Sequence, residues 1–162
     1  MVKQLFVDVE TTDLNPNLGN ITELAFIYRV NGKIKKTKEY KGNEYDIYNA
    51  FLRDLDSIID RYDKDDKLYL IGHNSRFDSE FIRAMFKRNR NEYYGSYFMN
   101  IPIDTAHIAT EYFMNKRNKP ENYKLVTLLK YFKIPFEEGK LHGALYDVRK
   151  TKELYNVLKK KK

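Results

Sequence analysis

The stretch Val7-Asp8-Val9-Glu10-Thr11-Thr12-Asp13-Leu14 places two acids inside an otherwise apolar segment. Residues 3–9 are predicted to form a buried strand, in which alternate side chains point to the same face. Asp8 and Glu10 therefore share one face, where mutual repulsion and the loss of water both oppose burial. A divalent cation would offset that cost, because hard cations bind carboxylate oxygens. The alternative interpretation is an edge strand with one solvated face.

The residues that follow predict a mixed α/β fold. Turn formers at residues 15–20 precede a second strand at 21–30, and Asn31-Gly32 is a strong hairpin signal before a third strand at 33–40. Apolar residues then recur at helical spacing between residues 47 and 62. A short strand is predicted at 68–72, and helices at 77–86, 103–113, 125–132 and 144–158. We therefore expect one domain over residues 1–162, built on a mixed sheet with three antiparallel first strands and with helices on both faces.

Composition narrows the classes of function. The net charge of +7 favours a polyanionic partner, and the absence of cysteine excludes thiol nucleophiles, thiolate metal sites and disulfides. The serines lie in no G-x-S-x-G setting, and no phosphate-binding glycine loop is present. No apolar run reaches 18 residues, and the N-terminus lacks the pattern of a signal peptide. We expect a cytoplasmic protein without membrane contact.

Two further segments carry candidate functional residues. Gly72-His73-Asn74-Ser75-Arg76-Phe77-Asp78 follows a predicted strand and opens a helix, which is where open α/β sheets bind ligands. Taken alone, Asp78 is better explained as a first-turn acid, and Asn74 and Ser75 as helix caps. The second segment, Leu141-His142-Gly143-Ala144-Leu145-Tyr146-Asp147, places a histidine before the last helix and an acid on it. His142 could act as a general base, or it could be an exposed loop histidine.

The other two histidines receive a structural interpretation. His73 lies in the wrong register to share a face with Asp78. His107 falls in a predicted helix beside the apolar residues Ile108 and Ala109.

Taken in order, the motifs D-x-E, H-N-x-x-F-D and H-x-A-x-x-D resemble those of the DnaQ-like, or DEDD, family of 3′→5′ exonucleases. The resemblance extends from Asp8 to Asp147, and Ile103-Asp104-Thr105 and Thr151 also match the family. The family has two branches, which differ in whether a histidine or a tyrosine precedes the last acid. His142 lies five residues before Asp147, whereas Gly143 occupies the position of the tyrosine, so the chain resembles the DEDDh branch. The fold that this resemblance implies is ribonuclease H-like, with a mixed five-stranded sheet whose first three strands are antiparallel.

The resemblance implies a site with two divalent ions, Mg²⁺ or Mn²⁺. By this resemblance, the first ion would be ligated by Asp8, Glu10 and Asp147 of this chain, and Asp78 would assist through water. Asp8 would also contact the second ion. His142, as neutral imidazole, would take a proton from the attacking water, and the product would be a nucleoside 5′-monophosphate.

The resemblance also implies contacts with a strand end. Thr11 matches a residue that contacts the terminal nucleotide, Leu14 an apolar wedge, and Asn74 a residue near the substrate backbone. Phe77 matches an aromatic near the terminal base or sugar, but core packing explains it equally well. Asp13 stands where the family usually has glycine, and aspartate tolerates a positive φ better than most residues.

Three functions remain open on the sequence alone. The first is proofreading or repair of single-stranded or frayed DNA 3′ ends, with a DNA polymerase as a further partner. The second is trimming of RNA by the same chemistry. The third is a catalytically silent module that binds nucleic acid or a polymerase. Against the third, Asp8, Glu10, Asp78, His142 and Asp147 are all present, whereas a decayed site would be expected to have lost at least one.

Overall fold

The computed structural model describes residues 1–161 and contains a five-stranded sheet flanked by six helices. The strands are β1 (Lys3–Thr11), β2 (Ile21–Val30), β3 (Lys33–Lys41), β4 (Tyr69–Gly72) and β5 (Ile103–Asp104). The helices are α1 (Glu44–Ile58), α2 (Ser75–Arg88), α3 (Tyr94–Tyr97), α4 (Thr105–Phe113), α5 (Leu125–Tyr131) and α6 (Ala144–Lys160). A short 3₁₀ helix, Glu138–Lys140, precedes α6.

The sheet is mixed, as predicted, and its strand order is β3-β2-β1-β4-β5. The first three strands are antiparallel neighbours, whereas β4 runs parallel to β1 and β5 runs parallel to β4. The β2–β3 hairpin turns at Asn31 and Gly32, whose φ values of 46° and 82° are the left-handed pair that a tight hairpin requires. The carboxyl ends of β1, β4 and β5 meet at one edge of the sheet.

Strand β1 separates two layers of core. Leu5, Val7 and Val9 pack with residues of α1, α2 and α3 on one face, and Phe6 packs with α6 on the other. A third cluster joins α4, α5 and α6. Helices therefore cover both faces, which confirms the predicted architecture. Because Asp8 and Glu10 alternate with Val7 and Val9, they lie on the α6 side of the sheet.

One predicted element is divided in the structure. Residues 103–113 were expected to form a single helix, but Ile103 and Asp104 form β5 and the helix begins at Thr105. Asp104 ends the strand because its carboxylate accepts hydrogen bonds from Ala106 N at 2.8 Å, Asn74 N at 3.1 Å and Ser75 N at 3.1 Å. One buried acid thus caps both α2 and α4, and it holds the segment that follows β4 against β5.

Candidate active site

Three acids from opposite ends of the chain form one cluster. Asp8 and Glu10 come from β1, and Asp147 comes from the first turn of α6. One carboxylate oxygen from each lies within 4.8 Å of the others. Asp147 Oδ1 is buried and has no hydrogen-bond partner among residues 1–161. An unpaired buried carboxylate oxygen is costly, so the arrangement calls for a cation at this position.

The electrostatics of the cluster support the same conclusion. Burial raises the pKa of Asp8 well above its usual value, and the nearby charges of Asp78, Asp147 and Glu10 raise it further. Burial also raises the pKa of Glu10, with Asp147 adding to the effect, and burial raises the pKa of Asp147. Because each acid disfavours ionisation of its neighbours, a divalent cation fits the cluster better than protons do at neutral pH.

Asp78, in the first turn of α2, is a further acid close to the cluster, since its charge raises the pKa of Asp8. Its Oδ1 accepts a hydrogen bond from Val9 N at 3.1 Å, and its side chain is buried. Burial raises the pKa of Asp78 to about 8 despite that hydrogen bond. Gly72 permits this approach, because a Cβ at that position would lie 3.2 Å from Asp78 Oδ2 and 3.0 Å from Ser75 Cβ. Asp78 is therefore a buried acid that ties α2 to β1 at Val9, between Asp8 and Glu10 in the sequence.

His142 is adjacent to the acids. Its backbone N–H donates to Asp147 Oδ2 at 3.2 Å, and its φ of 70° places it in the left-handed region just before α6. Its imidazole lies near enough to lower the pKa of both Glu10 and Asp147 when it is protonated. The preceding segment is anchored to α6, because Tyr146 Oη accepts from Glu137 N at 2.6 Å. His142 itself is exposed, so water can reach its imidazole.

A fifth acid, which the sequence analysis missed, borders the cluster. Glu23 on β2 lies directly opposite Glu10 in the antiparallel register, and its charge raises the pKa of Asp8 and Glu10. Like charges opposite each other destabilise a sheet. Lys41 partly compensates, with its Nζ 3.4 Å from Glu23 Oε1, but Glu23 Oε2 is buried and unpaired among residues 1–161. The signal was an acid in the second predicted strand, but its partner depends on a register that the sequence alone does not fix.

The residues predicted to contact substrate occupy different settings. Leu14 is 84% exposed on the loop after β1, and Thr11 Oγ1 donates to Asp13 O at 2.7 Å. Asn74 is exposed with a φ of 60°, and its side chain caps nothing because Asp104 performs that task. Phe77 is half-buried, and its ring centroid lies 4.8 Å from that of Phe81. One side of Phe77 therefore packs in the core, as the alternative interpretation held.

Asp13 does not need the glycine conformation. It is not among the residues with positive φ in the described chain. Its Oδ1 accepts from Asn15 N at 2.8 Å, which makes it a turn residue.

A cavity of about 540 Å³ opens beside His142 and Asp147. Its far wall is formed by His73, Tyr123, Lys124 and Leu125. His73 fixes that wall, because its Nε2 lies 2.9 Å from Tyr123 O and its Nδ1 lies 2.8 Å from Thr105 Oγ1. Burial lowers the pKa of His73, which keeps this ring neutral at neutral pH. The structural role expected for His73 agrees with these contacts.

Comparison with known proteins points to a family of exonucleases. Residues 47–155, about two thirds of the chain, match the RNase T family, described as Exonuclease. That match includes Asp78, His142 and Asp147 and begins after β1. DNA polymerase III subunit epsilon of Rickettsia prowazekii is 28% identical over 183 residues, which cover 97% of this chain and 74% of that protein. Ribonuclease T of Actinobacillus pleuropneumoniae is 34% identical over 88 residues, which cover 53% of this chain and 36% of that protein.

The fold also matches solved structures. Escherichia coli exonuclease I in complex with a dT13 oligonucleotide superposes with a TM-score of 0.78 at 19% identity. The match covers 99% of this chain, which spans 42% of the exonuclease I chain. None of the helices within residues 1–161 combines the length and apolarity that a membrane crossing requires. By its sequence match over two thirds of its length, the chain belongs to the DnaQ-like exonuclease family.

Proposed function

We propose that this protein is a metal-dependent 3′→5′ exonuclease that shortens DNA strands by one nucleoside 5′-monophosphate at a time. The observation that carries the proposal is the cluster of Asp8, Glu10 and Asp147 within 4.8 Å, with one buried oxygen of Asp147 unpaired. Neither a solvated strand face nor a helix-capping role explains both the clustering of the three acids and the unpaired buried oxygen. A site for divalent ions explains both observations, and the exposed His142 lies beside it.

Asp8, Glu10 and Asp147 would hold the divalent ions, Mg²⁺ or Mn²⁺. Their oxygens are hard ligands, and their mutual repulsion is relieved by positive charge. Such ions supply Lewis-acid stabilisation of charge on the attacking and leaving oxygens of a phosphoryl displacement. Asp78 would assist the ions through water, and its hydrogen bond from Val9 N ties α2 to β1 next to Asp8 and Glu10.

His142 acts as the general base. Its neutral imidazole accepts the proton of the attacking water and releases it to solvent, for which its exposure is suited. The hydrogen bond from His142 N to Asp147 Oδ2 links the position of the base to that of a carboxylate. Attack by water on the last phosphodiester breaks the bond from phosphorus to the 3′-oxygen of the shortened strand. That oxygen takes a proton from solvent and becomes a 3′-hydroxyl, while the phosphate stays on the released nucleotide.

The substrate strand would contact both flanks of the carboxylates. By the family resemblance, Thr11 and Leu14 would contact the terminal nucleotide, Phe77 its base or sugar, and Asn74 the substrate backbone. The cavity on the other side of His142 offers the ring of Tyr123 and the cation of Lys124, features that suit a nucleotide base and its phosphate. Contact with rings and cations holds single strands without reading their sequence.

The relatives favour DNA and a polymerase partner. The Rickettsia relative is named as a subunit of DNA polymerase III, and its match covers nearly the whole chain. We therefore propose a cytoplasmic proofreading or repair role, in which frayed 3′ ends reach the site from a polymerase.

RNA is the second candidate substrate. The relative named Ribonuclease T is 34% identical, although only over half of the chain. Discrimination between the two depends on contacts to the 2′-hydroxyl.

A single gel tests the activity and separates these substrates. DNA and RNA oligonucleotides of one sequence, labelled at the 5′ end, are incubated with Mg²⁺, with Mn²⁺ and with EDTA. The expected result is a metal-dependent ladder that shortens from the 3′ end, stronger on DNA. A stronger RNA ladder would assign the second candidate. Retained binding with no ladder on either strand would leave a catalytically silent binding module.

A further inference from the structure

The loop that joins β1 to β2, residues 12–20, begins one residue after the strand carrying the acids. It presents two leucines to solvent, Leu14 at 84% and Leu18 at 74% exposure. The loop is nevertheless ordered by its own hydrogen bonds. Asn15 O accepts from Leu18 N at 3.0 Å and from Gly19 N at 2.9 Å, and Thr12 N donates to Asn20 O at 3.0 Å. A folded loop that exposes apolar side chains beside a site suggests a contact surface rather than a simple connection.

The interior of the loop is tightly packed as well. An added Cβ at Gly19 would lie 2.8 Å from Asp13 Cβ and 2.9 Å from Asp13 N. The two halves of the loop are therefore in contact, and residues 12–20 form a compact unit.

The side chain of an arginine connects this loop to two helices. Arg88, at the end of α2, donates from Nη1 to Pro16 O at 2.7 Å. Its Nε and Nη2 bond both oxygens of Glu44, the first residue of α1, each at 2.7 Å. Glu44 Oε2 also accepts from Ile21 N at 2.7 Å, where β2 begins. One ion pair thus joins the end of α2, the start of α1 and both sides of the loop.

The geometry of this pair makes it more than a surface contact. The Glu44 side chain is only 9% exposed, and the pairing with Arg88 is bidentate. Arginine supplies three donors in a fixed plane, which a lysine cannot reproduce. By contrast, the exposed pair Arg76–Glu80 on the same helix makes one contact and reaches no loop.

We propose that Arg88 and Glu44 are positioning residues. They hold the 12–20 loop, and with it Leu14, in the position in which Leu14 contacts the terminal nucleotide. This inference rests on the proposed function, because Leu14 is assigned to substrate there. Neither residue reaches the carboxylates, so the pair acts on substrate affinity and leaves the chemical step unchanged.

The test compares Arg88→Met with Arg88→Lys, and uses Lys87→Met as the control. Lys87 is the preceding residue, is exposed, and has no ion pair within residues 1–161, so its loss changes the net charge equally. On a single-stranded oligonucleotide, KM should rise by about 10-fold in Arg88→Met, with kcat within about 2-fold of the wild type. Arg88→Lys should be intermediate and Lys87→Met unchanged. A fall in kcat at constant KM would show a general structural defect and overturn the proposal.

A double-mutant cycle identifies the route of the effect. If the pair acts through Leu14, Arg88→Met should raise KM far less in a Leu14→Ala background than in the wild type. Independent, additive effects of the two substitutions would contradict the proposal.

A measurement without substrate separates this inference from the proposed function. The chain contains no cysteine, so Leu18→Cys provides a unique position for a spin label. Arg88→Met should increase the mobility of that label, whereas Lys87→Met should not. An inactive wild type whose label responds in this way would refute the exonuclease but keep the loop attachment. If the wild type is active but Arg88→Met changes neither the mobility of the label nor KM, the role of Arg88 is refuted and the exonuclease activity is not.

Discussion

The substitution Asp8→Asn should stabilise the metal-free protein while it removes activity. Two full charges 4.8 Å apart, the limit that encloses the cluster, repel by about 3.5 kcal/mol at an effective dielectric constant of about 20. Asp8 experiences this repulsion from both Glu10 and Asp147, but proton uptake at the raised pKa values relieves part of it. We therefore expect the free energy of unfolding in EDTA to rise by about 1–3 kcal/mol.

The assay is thermal unfolding in EDTA and in Mn²⁺, together with cleavage of a labelled oligonucleotide. For a protein of this length the gain corresponds to a melting temperature about 2–10 °C higher in EDTA. Mn²⁺ should stabilise the wild type and have little effect on the variant. Cleavage should fall by at least about 10³-fold, because a metal ligand is lost.

Asp13→Asn is the matched control for Asp8→Asn. Asp13 is an exposed acid, and asparagine retains the oxygen that accepts from Asn15 N, so the melting temperature should not change. The reasoning would be refuted if Asp8→Asn were no more stable in EDTA than the wild type, or if the variant retained cleavage.

Three other outcomes follow from the same geometry. His142→Ala should lower the cleavage rate by about 10²–10⁴-fold yet leave Mn²⁺ binding by calorimetry unchanged; weaker binding would make His142 a ligand. Asp104→Ala should cost about 2–4 kcal/mol in denaturant unfolding, because two helices lose their caps; a loss below about 1 kcal/mol would contradict the double cap. In EDTA, unfolding free energy should fall as pH rises from about 4 to 8, because the folded state holds extra protons at Asp8 and Asp78, whose pKa values are raised; saturating Mn²⁺ should flatten this slope.

Local patterns predicted most of the fold. Alternation in β1, the Asn31-Gly32 turn and the helical stripes each depend on neighbouring residues, and each agrees with the structure. Strand β5 was missed because two residues are too short to show a period. Its end is set by Asp104, whose partners Asn74 and Ser75 lie about 30 residues away.

The candidate site shows the same division. The motifs singled out Asp8, Glu10, Asp147 and His142, and the structure brings these four residues together; their roles in metal binding and catalysis stay predictions. Glu23 was missed because its position opposite Glu10 depends on the hairpin register. The contact of Arg88 with Pro16 joins residues 72 positions apart, and no local pattern indicates it.

The most direct test of the central claim is mass spectrometry of the products formed in ¹⁸O-labelled water. The account predicts that wild-type protein with Mn²⁺ releases nucleoside 5′-monophosphates that each carry one ¹⁸O, while the shortened strand remains unlabelled with a free 3′-hydroxyl. His142→Ala should give the same products more slowly. Release of 3′-monophosphates, or ¹⁸O in the shortened strand, would contradict attack by water at the last phosphodiester and refute the proposed exonuclease.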